Sequence, residues 1–276
     1  MHETPLRKFL ETEARPLAVV LGTNEIASAI AVRLTYDGHR VILSHDPYTP
    51  VLRRKMAFHD ALFDDHAELD GIVGRRAESL VEIAAALAHP GGVVAVTPLQ
   101  LMDLIVMRRF DALIDSRLQT CRVTPDLRGF AGVTIGVGAN FETARNCDFS
   151  VETASRKPGA ARPPSGAAAE TFVGAQREGL WLTPLDVGAR VYKGVALGRH
   201  AGLRVFAPMD GYLRGIARDG TFVPKGARLL EIDPRGRPPA CVGTDEHARS
   251  VASAATQALR AAEFQRGRLA TLAAVS

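Results

Sequence analysis

Gly22-Thr23-Asn24-Glu25-Ile26-Ala27 closes an apolar run, Leu17 to Leu21, and opens a stretch of helical spacing marked by Ile26, Ile30 and Leu34. A glycine loop between a strand and a helix is where a dinucleotide or phosphate is held, because the first turn of the helix offers unpaired N–H groups. Asn24 stands where G-x-G-x-x-G/A has its second glycine, and Ala27 fills the third place. Asp46 follows a second short strand, where an acidic residue can bond a ribose hydroxyl. Arg53 and Arg54 are of the type that grips phosphate bidentately. Gly136 and Gly138, in Thr134-Ile135-Gly136-Val137-Gly138-Ala139-Asn140-Phe141, follow another strand and belong near the same sheet edge. The expected cofactor-binding set is therefore Gly22, Thr23, Asn24, Glu25, Asp46, Arg53, Arg54, Gly136 and Gly138. No catalytic residue stands out.

Two further groups carry chemistry-bearing residues with less direction. His59, Asp60, Asp65 and His66 are metal-ligand types, yet their spacing matches no metal signature, and a solvated acidic loop explains them. No metal site is expected. Cys147, in Asn146-Cys147-Asp148, reads either as a nucleophile with a lowered pKa or as a small packed residue.

These residues need a frame. Through about residue 150, strand-like and helix-like patterns alternate, which predicts a Rossmann-like parallel sheet covered by helices. Leu17 to Leu21, Val41 to Leu43, Val93 to Val96, Ala112 to Asp115 and Val133 to Val137 read as strands. Glu25 to Asp37, Leu80 to Ala88 and Leu99 to Arg109 read as helices. The chain divides into a Rossmann-like domain over 1–154, a Pro/Gly/Ala-rich linker or mobile loop over 155–179, a β-rich domain over 180–240, and a C-terminal helical segment over 241–276 whose helix runs from about Glu246 to Arg266.

Within the β-rich part a ten-residue pattern, G-x-x-V-x-K-G-x-x-L, occurs at Gly188–Leu197 and again at Gly220–Leu229. Each copy predicts a glycine turn, a short strand, a Lys-Gly turn and another strand. Together with Val205 to Ile216 the layout resembles the barrel-sandwich module of biotinyl and lipoyl carriers. The corresponding tip is Pro208-Met209-Asp210-Gly211, with no acceptor lysine; Lys193 and Lys225 lie in the repeated turns.

Composition sets the outer bounds. With 46% hydrophobic and 23% charged residues the sequence is that of an ordinary globular protein, and a net charge of +4 with dispersed Lys and Arg does not suggest nucleic acid. Three scattered cysteines fit a reducing compartment, and no apolar run approaches the length of a membrane span. A cytoplasmic protein is expected.

Taken in order, the Gly22 to Ala27 loop, Leu52-Arg53-Arg54-x-x-Ala57-Phe58, Asp115-Ser116-Arg117-Leu118, Ile135-Gly136-Val137-Gly138, Cys147-Asp148 with Val151-Glu152-Thr153, and Ile232-Asp233-Pro234-Arg235-Gly236 resemble the accessory proteins of the selenium-dependent molybdenum hydroxylase system. Those are related to maturation factors of xanthine and carbon monoxide dehydrogenases. The chain departs from that pattern in both loops, each lacking one glycine, and in Asp245-Glu246-His247. The resemblance implies an accessory or maturation protein that binds a nucleotide, a phosphorylated intermediate or a molybdenum-pterin-related ligand, with a client enzyme or another maturation protein as partner, and self-association left open. A nicotinamide-dependent oxidoreductase and a non-catalytic protein-binding scaffold are the alternatives.

Overall fold

The computed structural model describes residues 15–119, 123–153, 172–235 and 241–273. The linker expected over 155–179 falls mostly outside them, but its last part does not: Phe172–Gly174 is a strand of the β-rich module.

Strand β1 (Leu17–Leu21) is buried at all five positions, as a central strand covered on both faces requires. Helix α1 (Glu25–Tyr36) returns the chain to β2 (Arg40–Ser44), which pairs parallel to β1. The short helix α2 (Ala61–Asp64) leads into a hairpin of β3 (His66–Leu69) and β4 (Ile72–Arg76). Its turn, Asp70-Gly71, has positive φ at both residues, the geometry a two-residue hairpin favours. The solvated loop expected around His66 is thus corrected to a strand.

Helix α3 (Leu80–Leu87), strand β5 (Val93–Thr97), helix α4 (Leu101–Leu104), and strands β6 (Phe110–Asp115), β7 (Ala131–Val137) and β8 (Phe149–Val151) complete this half. The helix expected from Leu99 to Arg109 is reduced to α4. The chain turns where the Met107 N–H bonds the Leu104 carbonyl, so Met107 and Phe110 both reach the core.

The eight strands lie in the order β3-β4-β5-β2-β1-β6-β7-β8, parallel except for the β3–β4 hairpin. The order reverses at β1, whose neighbours β2 and β6 lead to opposite edges. The crevice outside the carboxyl ends of these strands is where an open α/β sheet places ligands. One face of the sheet packs under α1 and under the long helix α5 (Glu246–Ala273), which contributes Ala248, Val251, Ala252, Ala255, Leu259 and Ala262. The other face packs under α3 and the α4 turn.

Between β8 and α5 the chain forms two four-stranded antiparallel sheets. One is ordered β13-β12-β10-β15, from Leu203–Phe206, Ala196–His200, Gly179–Leu182 and Phe222–Val223. The other is β11-β14-β16-β9, from Arg190–Val191, Gly211–Ile216, Arg228–Asp233 and Phe172–Gly174. They share a core around the fully buried Trp181, whose indole N–H donates to the Ala217 carbonyl at 3.1 Å. Both copies of the repeat fold alike: a turn glycine, a two-residue strand, an exposed lysine beside a positive-φ glycine, then a longer strand. Among the described residues no helix is long and apolar enough to cross a membrane.

Candidate functional site at the carboxyl edge of the parallel sheet

The loop after β1 is held from three sides. Gly22 has φ +108°, and a Cβ there would lie 3.0 Å from the Ser116 carbonyl oxygen, so glycine lets this loop pass against the loop that follows β6. Asn24 Nδ2 donates to that same carbonyl at 2.7 Å. Its Oδ1 accepts from the N–H groups of Ile26 and Ala27, at 3.0 and 2.9 Å. This is a helix cap worth about 1 kcal/mol. It has a chemical consequence: the N–H groups that would hold a phosphate already hold Asn24.

The second glycine loop is occupied in its own way. A Cβ on Gly136 would fall 2.0 Å from the Phe141 ring, so the glycine makes room for phenylalanine over the end of β7. Asn140 donates to the Gln119 carbonyl at 2.6 Å, and Leu118 lies beside Gly138. Both glycine loops reach the carboxyl edge of one sheet. The segment 116–119 lies between them and touches each.

Arg53 and Arg54 face carboxylates. Arg53 binds both oxygens of Glu231, at 2.9 and 3.0 Å, and lies 3.5 Å from Glu25 and from Asp245. Arg54 pairs with Asp60 at 2.9 Å and Asp186 at 2.6 Å, and its Nε donates to the Ile216 carbonyl. Arg218 meets Asp60 and Asp64, both at 3.1 Å, and Arg214 meets Asp245 at 3.2 Å. These pairs form a seam joining the parallel-sheet half to the β-rich module. Burial pushes the Glu25 carboxyl up, against the opposing pull of Arg53. Arg53 and Arg54, expected as phosphate partners, are thus both engaged by carboxylates in this structure.

Asp46 also has partners. One carboxylate oxygen accepts from the Tyr48 N–H at 3.1 Å, the other from Gln119 Nε2 at 2.9 Å. Cys147 is fully buried, and burial pushes its thiol up, which favours the packed role over the nucleophilic one. Among the described residues no group of three or more His, Cys, Asp or Glu side chains could hold a metal ion.

What the edge offers instead is a cleft of about 200 Å³ lined by Leu21, Ser44, His45, Gln100, Leu101, Met102, Arg117 and Pro125. That is fragment-sized, below the usual span of about 300–1,000 Å³ for ligand pockets. A smaller recess lined by Gly22, Thr23, Asn24, Asp46 and Arg117 adjoins it through Arg117. The Arg117 guanidinium is held by Asp115, which accepts from Nε with both oxygens, at 3.0 and 3.1 Å. Around the cleft two carboxylates, Asp46 and Asp115, face this one guanidinium.

Beside the cleft the buried Thr23 hydroxyl lies between two imidazoles, 2.9 Å from His59 Nδ1 and 3.4 Å from His45 Nδ1. The two rings are 5.2 Å apart, and Phe63 meets the His59 ring edge-on. Burial lowers the His45 pKa, and burial together with His45, Arg54 and Arg218 brings His59 down to about 3. Both rings are neutral at pH 7. Sequence reading singles out Asp46 beside His45 and treats His59 as a metal-ligand type. The pairing of the two histidines through a threonine has no local signature, because β1, β2 and the turn before α2 bring them together from separate parts of the chain.

No family model matches the chain. It is 27% identical over 263 residues to the uncharacterized protein YqeB of Escherichia coli K12, covering 88% of this chain and 47% of that protein. The chain thus spans about half the length of the curated relative it matches. Among solved structures, an aspartoacylase family protein of Mesorhizobium loti aligns over 82% of this chain and 86% of its own, at 12% identity and a TM-score of 0.25. The ectoine utilization protein EutE (DoeB) of Ruegeria pomeroyi aligns over 79% and 85%, at 13% identity and 0.24. A succinylglutamate desuccinylase/aspartoacylase of Rhodobacter sphaeroides aligns over 79% and 85%, at 16% identity and 0.24. At such scores the neighbours carry no activity over to this chain. The expected membership among molybdenum hydroxylase accessory proteins is corrected to no assigned family, since no family model matches the chain and the curated relative is uncharacterized. With it goes the nucleotide-binding role, which the Asn24 cap and the engaged arginines leave without a phosphate site.

Proposed function

We propose that the chain binds a small, non-anionic polar ligand in the cleft at Ser44, His45, Gln100 and Arg117, and exchanges a proton with it through His45. The observation that carries this reading is the Thr23 hydroxyl placed between the buried His59 ring and the half-buried His45 ring beside that cleft. A threonine hydroxyl has one proton to give. If it donates to His59 Nδ1, then His45 bonds it only as the Nδ1–H tautomer, which leaves His45 Nε2 as an acceptor. A hydroxyl or amine proton of the ligand can then pass to Nε2, making His45 an imidazolium whose Nδ1–H stays bonded to the Thr23 oxygen, and return to the ligand from there. The charge balance, two carboxylates against Arg117, disfavours an anion and favours a neutral or amine-bearing molecule. Two neighbouring readings accompany this one. The β-rich module is of barrel-sandwich type, supported by its two antiparallel sheets and shared core, and the scattered cysteines favour a reducing, cytoplasmic setting.

The test is ligand screening against the full chain with histidine-selective 15N NMR. Neutral polyols, primary amides and small amines form the panel, with inorganic phosphate and AMP as anionic controls. At least one neutral or amine fragment should move the His45 ring signals, and Thr23→Val should remove the accompanying His59 shift. If phosphate or AMP moves His45 more than every neutral or amine fragment does, or no fragment moves it, the reading fails.

A further inference from the structure

The two sheets of the β-rich module meet different surroundings. The sheet containing β14 and β16 lies toward the parallel-sheet half: the Ile216 N–H donates to the Leu52 carbonyl at 2.9 Å, and a Cβ on Gly215 would meet Leu52. The sheet β13-β12-β10-β15 turns its other face outward. Register puts Leu180 opposite Phe222, Leu182 opposite Arg199, and Arg199 opposite Arg204, so these side chains share one face with Phe206. Leu180, Leu182, Phe206 and Phe222 are each about half exposed, at 47%, 45%, 51% and 57%. Four large apolar side chains together on one sheet face are uncommon where nothing covers them.

The charges on that face point to what covers it. Arg199 and Arg204 lie directly across neighbouring strands, a pairing that like charges destabilise. Among the described residues neither forms an ion pair, although arginines elsewhere in the chain hold carboxylates. The chain's own segment 154–171 does not suit the face, because its sequence has no large apolar residue and carries Arg156, Lys157 and Arg162 against the single Glu170. From the apolar quartet and the opposed arginines we infer that this face docks a partner protein whose surface sets a pair of carboxylates among apolar side chains. Leu180, Leu182, Phe206 and Phe222 supply the apolar contact, and Arg199 and Arg204 select the partner by charge. This inference is independent of the proposed cleft chemistry.

The probes are two synthetic peptides, one alternating Glu with Leu and Phe, the other with Lys in place of each Glu. Each is titrated into the full chain while the methyl NMR signals of Leu180 and Leu182 are followed. The acidic peptide should move these signals at concentrations at least tenfold lower than the basic one, and Arg199→Glu with Arg204→Glu should reverse the preference. Equal response to both peptides, or none at these methyls, overturns the inference. So do three results that name another occupant: a dimer in sedimentation that the double charge reversal dissociates, co-sedimentation with phosphatidylglycerol vesicles lost in the same variant, or a change at these methyls on deleting residues 1–14.

Discussion

The seam around Arg53 and the cleft beside His45 are both polar and both set into the protein, yet they use polarity in opposite ways. At the seam nearly every cation is matched: Arg53 to Glu231, Arg54 to Asp60 and Asp186, Arg218 to Asp60 and Asp64. At the cleft the titratable rings are neutral, and a bridging hydroxyl can point either way. The lesson is that a cluster of arginines near a glycine loop announces a ligand only when its partners are missing. Here the sequence places those partners far away, in Asp186, Glu231 and Asp245.

Breaking the seam should give the largest effect. Arg53→Ala removes the bidentate partner of Glu231, leaving it only Arg214 at 4.0 Å, and takes the cation from the partly buried Glu25, which should cost about 3–5 kcal/mol in denaturant unfolding. A loss below about 1 kcal/mol would show that the seam is not a clamp.

The cleft should betray itself through pH. His59 titrates near pH 3 in the folded chain and near its ordinary 6.5 when unfolded, so the unfolded state takes up its proton first as pH falls. Its contribution is complete above pH 6.5 and is lost progressively down to about pH 3, with a slope approaching about 1.4 kcal/mol per pH unit. His59→Gln should flatten the stability curve in that window. An unchanged slope would mean that His59 is already protonated in the fold.

The two glycine loops sharpen the contrast with smaller effects. Gly136→Ala should destabilise by about 1–3 kcal/mol through its collision with Phe141, and Phe141→Ala in the same chain should recover part of that loss. Simple additivity of the two losses would refute the contact. Asn24→Ala should cost about 1 kcal/mol by removing the cap, and should also let sulfate stabilise the folded chain by engaging the uncovered N–H groups of Ile26 and Ala27. Identical melting with and without sulfate in this variant would show that Asn24 is not what closes the site to anions.

The frame was legible where one residue's neighbours decide its fate. The βαβ start, the Leu80 helix and the β7 strand are written in periodicity, and the repeated ten residues adopt matching turns and strands. The β3–β4 hairpin also carries a local mark, Asp70-Gly71, but the charged residues of His66 to Leu69 mask the strand. Asn24 was legible as a missing glycine, although its positive role as a cap that also ties down Ser116 depends on the β6 loop. The histidine pair was illegible because it forms only once β1 and β2 lie in register and the turn before α2 folds over them.

Helix α5 gives the chain an order of assembly. Its apolar positions from Ala248 to Ala262 lie in the same core as β1 and α1, with the whole β-rich module threaded between them in the chain. During synthesis the parallel sheet emerges with the face beneath α5 covered by α1 alone, and its cover is completed only after the module and then α5 have left the ribosome. The module that separates them in the chain has its own core around Trp181, while the last helix belongs to the first core.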